Sequence, residues 1–292
     1  NDPHLCQEIV DEALEYGYPE KIYWYEKPLL KKTRQAWAGQ WKEVFGKDTM
    51  PRKYLKKFGL GNIKVKTVKH HEAHAAAGAF TSPYESACVI VADAIGEFDT
   101  ISIWDYVAPG KLTRLKTYQY PHSLGLLYSA FTFYLGFKVN SGEYKVMGLA
   151  PYGSKYKKQI RIKTRFDGIK TDFSNFMKRN PLSDVLNQLN NNLRPNPIKV
   201  NHRFCENKNH LSKYFSGVAY DIQNIAEKTL VHLGKEIYKS VKSKNICLAG
   251  GVALNSVANK KLIDHSNFKN IFVFPACSDA GISFGAALWG AF

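Results

Sequence analysis

Residues 70–80 read HHEAHAAAGAF, and they place histidines where a predicted strand passes into a predicted helix. Residues 63–68, which precede them, alternate between apolar and polar side chains, as in a half-buried strand, and the alanines favour a helix. His70 and His74 are four residues apart and therefore share one helix face. That spacing suits two imidazole ligands of one divalent ion. The alternative is a capped helix start with solvated histidines.

Length and composition indicate a globular protein. The chain has 292 residues, of which 45% are hydrophobic, enough for one large or two modest domains. No stretch reaches the roughly 18 apolar residues of a membrane span. Five scattered cysteines without a CxxC pair predict a reduced, cytoplasmic protein. The first residues lack an initiator Met and the pattern of a signal peptide, so we expect the visible chain to begin inside a longer gene product.

The charge balance is strongly basic, with 41 Lys and Arg against 25 Asp and Glu, which gives a net charge of +16. Such a balance is typical of a nucleic-acid partner, a phosphorylated ligand or a solvated lysine surface. The lysines between residues 21 and 69 are spread out, without a dense basic block. This distribution favours a solvated surface first and a small anionic ligand second, and it argues against nucleic acid.

The predicted elements alternate between helices and strands before residue 82. They are helix 4–17, strand 22–25, helices 29–46 and 52–58, strand 63–68 and the histidine helix. After it come strand 87–92 ending at Asp93, strands 100–107 and 112–120, helix 124–137, a Gly-rich loop at 138–153, a polar insertion at 154–212, helix 213–241, strand 245–249, a helix to 263, strand 271–274 and a final helix. Parallel strands with crossover helices are expected from this order.

The second part of the chain therefore reads βββαβαβα with an insertion, and the first part reads like the same order without its βββ meander. Two such copies define the actin-like ATPase (ribonuclease H-like) α/β architecture, in which nucleotide binds between two lobes. We predict a partial first lobe at residues 1–82, lacking its N-terminal meander, and a second lobe at residues 83–292 with an insertion at about 154–212.

Two carboxylates lie where strands pass into turns. Asp93 follows the buried strand and is succeeded by Ala-Ile-Gly-Glu, a position that faces the cleft in open α/β sheets. Asp279 follows the last strand and precedes a helix. Taken alone, Asp93 could equally be a plain turn residue, and Asp279 is better explained as a helix cap.

A second group of residues suits a phosphate. Gly250 and Gly251, between a strand and a helix, allow backbone N–H groups to approach a phosphate, although tight packing at the turn explains them equally well. Asn255 can bond to a nucleotide oxygen. Lys145 can neutralise phosphate charge, with an ordinary surface lysine as the alternative.

Five motifs in this order, HHEAHAAAG, DAIGE, GEYKVMGLAPYG, AGGVALN and CSDAG, closely resemble those of the NodU/CmcH-type O-carbamoyltransferases over about residues 60–292. The catalytic lobes of that family are similar to the tRNA threonylcarbamoyl-transfer proteins and to the hydrogenase-maturation carbamoyltransferase. The family has Asp-Gly where this chain has Asp93-Ala94, which predicts a slightly reshaped loop.

The resemblance implies an enzyme that makes carbamoyladenylate from ATP and carbamoyl phosphate and passes the carbamoyl group to a hydroxyl of a sugar or natural product. It implies a divalent metal, iron first, with Mg²⁺, Mn²⁺ and Zn²⁺ as alternatives. It also implies an adenylate-forming domain in the full-length protein and allows a homodimer.

The resemblance also assigns residues, whereas the general base stays unassigned. The implied metal ligands are His70, His74, Asp93 and Asp279. The implied nucleotide residues are Gly148, Gly250, Gly251, Val252 and Asn255, with Glu143 and Lys145 on the opposite wall.

Two other functions compete with this one. A tRNA threonylcarbamoyl-transfer enzyme would use the positive charge, but the run KVMGLAPYG at residues 145–153 favours the O-carbamoyltransferases. A nucleotide-binding module without turnover is the third hypothesis.

Overall fold

The computed structural model describes residues 5–154 except 38, 40 and 47–49, together with residues 165–167, 170–172 and 211–292. Most of the predicted insertion at 154–212 lies outside the described residues. The part that is described there is a short antiparallel pair, β6 (Arg165–Asp167) and β7 (Lys170–Asp172).

The first part of the chain forms a two-stranded parallel sheet flanked by helices. Its elements are α1 (Gln7–Glu15), β1 (Lys21–Tyr25), α2 (Pro28–Trp37), α3 (Trp41–Val44), α4 (Pro51–Lys56), β2 (Lys64–Val68) and α5 (His70–Phe80). The two strands pair in register from Lys21 with Lys64 to Tyr25 with Val68. The predicted parallel pairing is confirmed. Within the described residues, the first part supplies two strands of a βββαβαβα lobe.

The second part forms a five-stranded mixed sheet covered by helices. Its elements are β3 (Ser86–Gly96), β4 (Asp99–Val107), β5 (Lys111–Gln119), α6 (Leu124–Tyr134), α7 (Glu143–Leu149), α8 (Leu211–Tyr238), β8 (Asn245–Ala249), α9 (Ser256–His265), β9 (Asn270–Val273) and α10 (Ile282–Ala291). The strand order is β5-β4-β3-β8-β9. The first three strands pair antiparallel, and β8 and β9 join in parallel. This order is that of one βββαβαβα lobe, so the actin-like fold class is confirmed.

Strand β3 is longer than its apolar run predicts. The prediction that the strand ends at Asp93 is wrong, because β3 continues to Gly96. Its pairing with β4 is regular up to Ala92 and resumes where Gly96 pairs with Asp99. Asp93 therefore lies in a bulged stretch within the strand, and bulges of this kind redirect side chains.

The predicted Gly-rich loop at 138–153 is largely helical, which corrects that part of the sequence prediction. Helix α7 is followed by a 3-10 turn at Ala150–Gly153. The Glu143 carboxylate accepts hydrogen bonds from the backbone N–H groups of Asn140 and Gly142, so it stabilises the start of the helix. Gly153 serves close packing, because a Cβ there would lie 1.9 Å from the carbonyl oxygen of Ser216 in α8.

The last helix packs against the first part of the chain. Val68, Ala73, Ile282 and Ala286 form a buried cluster that joins β2, α5 and α10. The predicted division at residues 82 and 83 assigns α10 to the second lobe although it packs on α5 of the first, and this division stays a prediction. Throughout the ranges that the structure describes, no helix combines the length and the apolarity needed to cross a bilayer.

Candidate functional site

Four side chains from three separate segments converge on one point. His70 and His74 come from the first two turns of α5, Asp93 comes from the bulge of β3, and Asp279 precedes α10. The Nε2 atom of His70 lies 3.0 Å from Asp93 Oδ2, 3.1 Å from His74 Nε2 and 3.3 Å from Asp279 Oδ1. His74 Nε2 lies 3.2 Å from Asp279 Oδ1 and 3.5 Å from Asp93 Oδ2. One ligand atom of each residue lies within 4.8 Å of all the others.

These distances fit a divalent ion. Nitrogen and oxygen ligands lie about 2.0–2.2 Å from such an ion, and at tetrahedral or octahedral angles they then lie about 2.8–3.6 Å from one another. Five of the six pairs in this cluster fall in that range. Two carboxylates and two imidazole nitrogens also form a set that attracts a cation. The donor set and its spacing therefore both suit a metal.

Local contacts fix the start of α5 and the position of the His70 ring. The carboxylate of Glu72 accepts a hydrogen bond from the backbone N–H of Lys69 and caps the first turn of α5. Gly96 makes room for the His70 ring, because a Cβ at Gly96 would lie 2.4 Å from His70 Cδ2. A glycine in the bulge is thus required for the close approach of this ring.

The two carboxylate oxygens of Asp93 have different partners. Oδ1 accepts hydrogen bonds from the N–H groups of Ala94 and Gly251, at 2.8 and 3.2 Å. Oδ2 faces the histidines. The orientation of the oxygen that faces the histidines is therefore fixed by backbone donors from both β3 and the Gly250–Gly251 turn.

The electrostatics of the cluster favour positive charge. Burial opposes protonation of His70, but hydrogen bonds to Asp279, Asp93 and Glu26 raise its pKa well above the usual value. Burial would raise the pKa of Asp93, but the two histidines lower it far below the usual value. Burial would also raise the pKa of Asp279, but hydrogen bonds with the same histidines lower it to about 2. The side chain of Asp279 is 49% exposed, so the cluster is open to solvent on that side.

His71 faces away from the cluster, as expected for the histidine between the two predicted ligands. Its Nδ1 lies 2.8 Å from the hydroxyl oxygen of Ser102, which also accepts a hydrogen bond from the Trp104 indole. Burial lowers the pKa of His71 well below the usual value, so the ring is neutral.

The Gly250–Gly251 turn adjoins the cluster directly. Gly250 has a φ of +86°, and a Cβ there would lie 2.3 Å from the carbonyl oxygen of Ala92. Its N–H donates to the carbonyl of Cys277. Val252 is half-buried in the 3-10 turn that follows. Both the positive φ and the close approach require glycine at position 250, and a phosphate site at this turn stays a prediction.

The Asn255 amide makes three hydrogen bonds within the protein. Its Oδ1 accepts from the N–H of Ala258 and caps α9, and it also accepts from Gln223 Nε2. Its Nδ2 donates to Gln223 Oε1 at 2.9 Å. Asn255 thus joins α9 to α8, and its predicted role at a nucleotide stays a prediction.

Helix α7 carries Glu143, Lys145 and Gly148, whose role at a nucleotide stays a prediction. Met147 Sδ lies 3.9 Å from Ser256 Oγ, which brings α7 to the start of α9. Lys145 is exposed, with its Nζ between the rings of Tyr144 and Phe137 at 5.8 and 5.9 Å. Gly148 is exposed, and no heavy atom lies within 4 Å of a Cβ built on it. Besides its capping bonds, Glu143 accepts from the Ser129 hydroxyl.

Comparison with known families identifies the chain. The model of the carbamoyltransferase N-terminus matches residues 9–288, nearly the whole sequence. The chain belongs to the carbamoyltransferase N-terminal family. This membership confirms the resemblance to carbamoyltransferases that the five motifs indicate.

Relatives of this carbamoyltransferase family member are longer than the chain. The uncharacterized protein sll1178 of Synechocystis sp. is 40% identical over 243 residues, which cover 78% of this chain and 38% of that protein. Nodulation protein NolO of Bradyrhizobium diazoefficiens is 32% identical over 222 residues, which cover 76% of this chain and 38% of that protein. The chain therefore spans about two fifths of the length of these relatives.

Among solved structures, the crystal structure of full-length HypF in the phosphate- and nucleotide-bound form is similar to this chain. The two are 14% identical, with a TM-score of 0.48, and the likeness covers 97% of this chain and 48% of the HypF chain.

Three residues near the cluster of candidate ligands could not be predicted from local sequence patterns in this carbamoyltransferase family member. Glu26 and Glu97 are buried, and Arg34 donates to the backbone of the β3 bulge. Glu26 lies between a short strand and a proline, and Glu97 lies in a turn, so each has the sequence context of an ordinary surface acid. The contacts of these residues join positions that are 44 to 70 residues apart in the sequence.

Proposed function

We propose that this chain forms the carbamoyl-transfer site of an O-carbamoyltransferase. In this proposal carbamoyladenylate, made from ATP and carbamoyl phosphate, donates its carbamoyl group to a hydroxyl of a sugar or natural product. The observation that carries the proposal is the convergence of His70, His74, Asp93 and Asp279 in a member of the carbamoyltransferase N-terminal family.

The donor set limits the choice of metal. Two imidazoles and two carboxylates suit first-row ions such as Fe²⁺, Mn²⁺ and Zn²⁺ better than Mg²⁺, which prefers oxygen ligands. We propose Fe²⁺, following the resemblance. When bound, the ion supplies Lewis-acid chemistry that polarises the carbamoyl carbonyl and orients the phosphate.

The residues of the chain supply the positioning. The half-exposed Asp279 leaves one side of the cluster open to a ligand. The Gly250–Gly251 turn is joined to the cluster by the Gly251 N–H, which donates to Asp93. A nucleotide phosphate at this turn would therefore lie next to the proposed metal ligands, and in this proposal the exposed Lys145 of α7 neutralises part of its charge.

The proposed transfer is a substitution at the carbamoyl carbon. The acceptor oxygen bonds to the carbamoyl carbon, the bond from that carbon to the adenylate phosphate oxygen breaks, AMP leaves, and the hydroxyl proton passes to a general base. Holding the two reactants in one geometry is the main contribution expected of the site.

The proposal is tested by supplying preformed carbamoyladenylate to the metal-loaded chain. We expect AMP release that is lost on chelation and restored by metal, and with a suitable hydroxyl acceptor we expect a carbamoylated product detectable by mass spectrometry. Binding without any AMP release would favour a nucleotide-binding module. Turnover of threonylcarbamoyladenylate but not carbamoyladenylate would favour the tRNA-modifying alternative, which the net charge of +16 allows.

Gly251→Val is expected to abolish nucleotide binding. ATP should raise the melting temperature of the wild-type chain by mass action. A Cβ added at Gly251 would lie 3.1 Å from Asp93 Oδ1. We expect the methyl groups of valine to occupy the space through which a phosphate would reach the turn. The measurement is the thermal shift with ATP or a non-hydrolysable analogue.

The matched control for this variant is Ser240→Val, which adds the same side chain at an exposed position after α8. The control should keep the full thermal shift. An unchanged shift in Gly251→Val would place the nucleotide elsewhere.

A further inference from the structure

A buried carboxylate lies directly behind the metal-facing ring of His70. Glu26, at the end of β1, is 6% exposed, and its Oε1 lies 3.6 Å from His70 Nδ1. Its backbone has a φ of +74°, in the left-handed region that glycine favours. A non-glycine residue persists there only where its surroundings enforce it. The position of this carboxylate is therefore imposed by the structure around it.

His70 offers one nitrogen to the cluster and the other to Glu26. Its Nε2 faces the other ligands, whereas its Nδ1 is buried and has no hydrogen-bond partner among the described residues. A neutral imidazole that binds a metal through Nε2 carries its proton on Nδ1. The nearest carboxylate to that proton is Glu26, slightly beyond hydrogen-bond length.

Glu26 is anchored by the helix that follows it. Lys31, one turn into α2, places its Nζ 2.5 Å from Glu26 Oε2. The ion pair uses one carboxylate oxygen and leaves Oε1 for His70. Lys31 thus compensates the buried charge without competing for the oxygen that faces the ring.

The turn that carries Glu26 is also tied to the bulge of β3. The Lys27 N–H donates to the Glu97 carboxylate at 2.6 Å. Glu97 is buried as well and has a φ of +59°. Arg34 of α2 donates to the carbonyl oxygens of Ile95 and Glu97, both at 3.2 Å. The segment from β1 to α2 therefore braces the same bulge that supplies Asp93.

We propose that Glu26 is a positioning residue of the metal centre, whose carboxylate accepts the Nδ1–H of His70 and holds Nε2 toward the ion. The inference rests on the metal site of the proposed function and deepens it. Carboxylate partners of metal-bound histidines fix the ring and its tautomer, and their loss typically costs about 10–100-fold in metal affinity.

The test measures the affinity of the purified chain for Co²⁺ by competition with a chromophoric chelator, together with the visible absorption spectrum of the bound Co²⁺. Glu26→Gln should weaken Co²⁺ binding by about 10–100-fold and alter the spectrum. The melting temperature of the metal-free protein serves as the measure of folding. Glu26→Gly, which suits the left-handed backbone, should weaken binding in the same way without backbone strain.

The matched control is Glu20→Gln, which makes the same chemical change at an exposed glutamate just before β1. Its Co²⁺ affinity and spectrum should resemble those of the wild type. Wild-type affinity in both Glu26 variants, or an equal loss in Glu20→Gln, would overturn the positioning role. A wild-type chain that binds no Co²⁺ would overturn the metal centre itself, a result distinct from failure of Glu26 alone.

Discussion

The His74→Ala chain should no longer hold a divalent ion. His74 Nε2 lies 3.1–3.5 Å from the ligand atoms of His70, Asp279 and Asp93, so its removal opens one whole side of the cluster. Loss of an outer partner of a ligand costs about 10–100-fold in affinity, so loss of the ligand itself should exceed about 100-fold. Metal content after dialysis, measured by elemental analysis, should fall from about one ion per chain to background.

An exposed histidine provides the control for this variant. His265→Ala, at the end of α9, should keep the wild-type metal content. Retention of a full equivalent of metal in His74→Ala would show that the ion lies elsewhere. The same preparations, given carbamoyladenylate, should separate loss of metal from loss of nucleotide binding.

Much of this site could be predicted because its parts lie in short, ordered motifs. The spacing of His70 and His74 is a property of one helix, and the alternation of elements specifies the sheet order that brings Asp93 and Asp279 to the same edge. Each helix or strand is indicated by a few neighbouring residues, and the order of these elements along the chain specifies the order of strands in the sheet. The four residues predicted as ligands therefore lie close together, and their binding of a metal stays a prediction.

Other features depend on contacts that local patterns do not carry. The bulge that turns Asp93 inward interrupts the pairing of β3 with β4, and it cannot be seen in the apolar run of one strand. The run from Gly142 to Gly153 looked like a loop, yet Glu143 caps a helix and Gly153 packs against Ser216. Glu26 is read as a surface acid until its distance to His70 is known.

The largest effect on stability is expected from Gly285→Ala, where two physical terms have opposite signs. Alanine within a helix is favoured over glycine by about 1 kcal/mol. In α10, however, a Cβ at position 285 would lie 2.0 Å from the carbonyl oxygen of Ala73 and 2.9 Å from Ala77 Cβ, both in α5. The backbones of the two helices touch at this point, so the added methyl group must separate them.

Gly285→Ala should therefore lower the free energy of unfolding by about 1–3 kcal/mol, the usual cost of overpacking, despite the gain in helix propensity. The measurement is urea denaturation of wild type and variant. Gly148→Ala in α7 is the matched control, because its Cβ would meet no atom within 4 Å, and it should gain about 0.5–1 kcal/mol. Since α5 carries His70 and His74, separation of the helices should also weaken metal binding. A Gly285→Ala chain at least as stable as the wild type would show that α10 does not pack on α5 as described, and the bracing of the metal helix by the last helix would have to be abandoned.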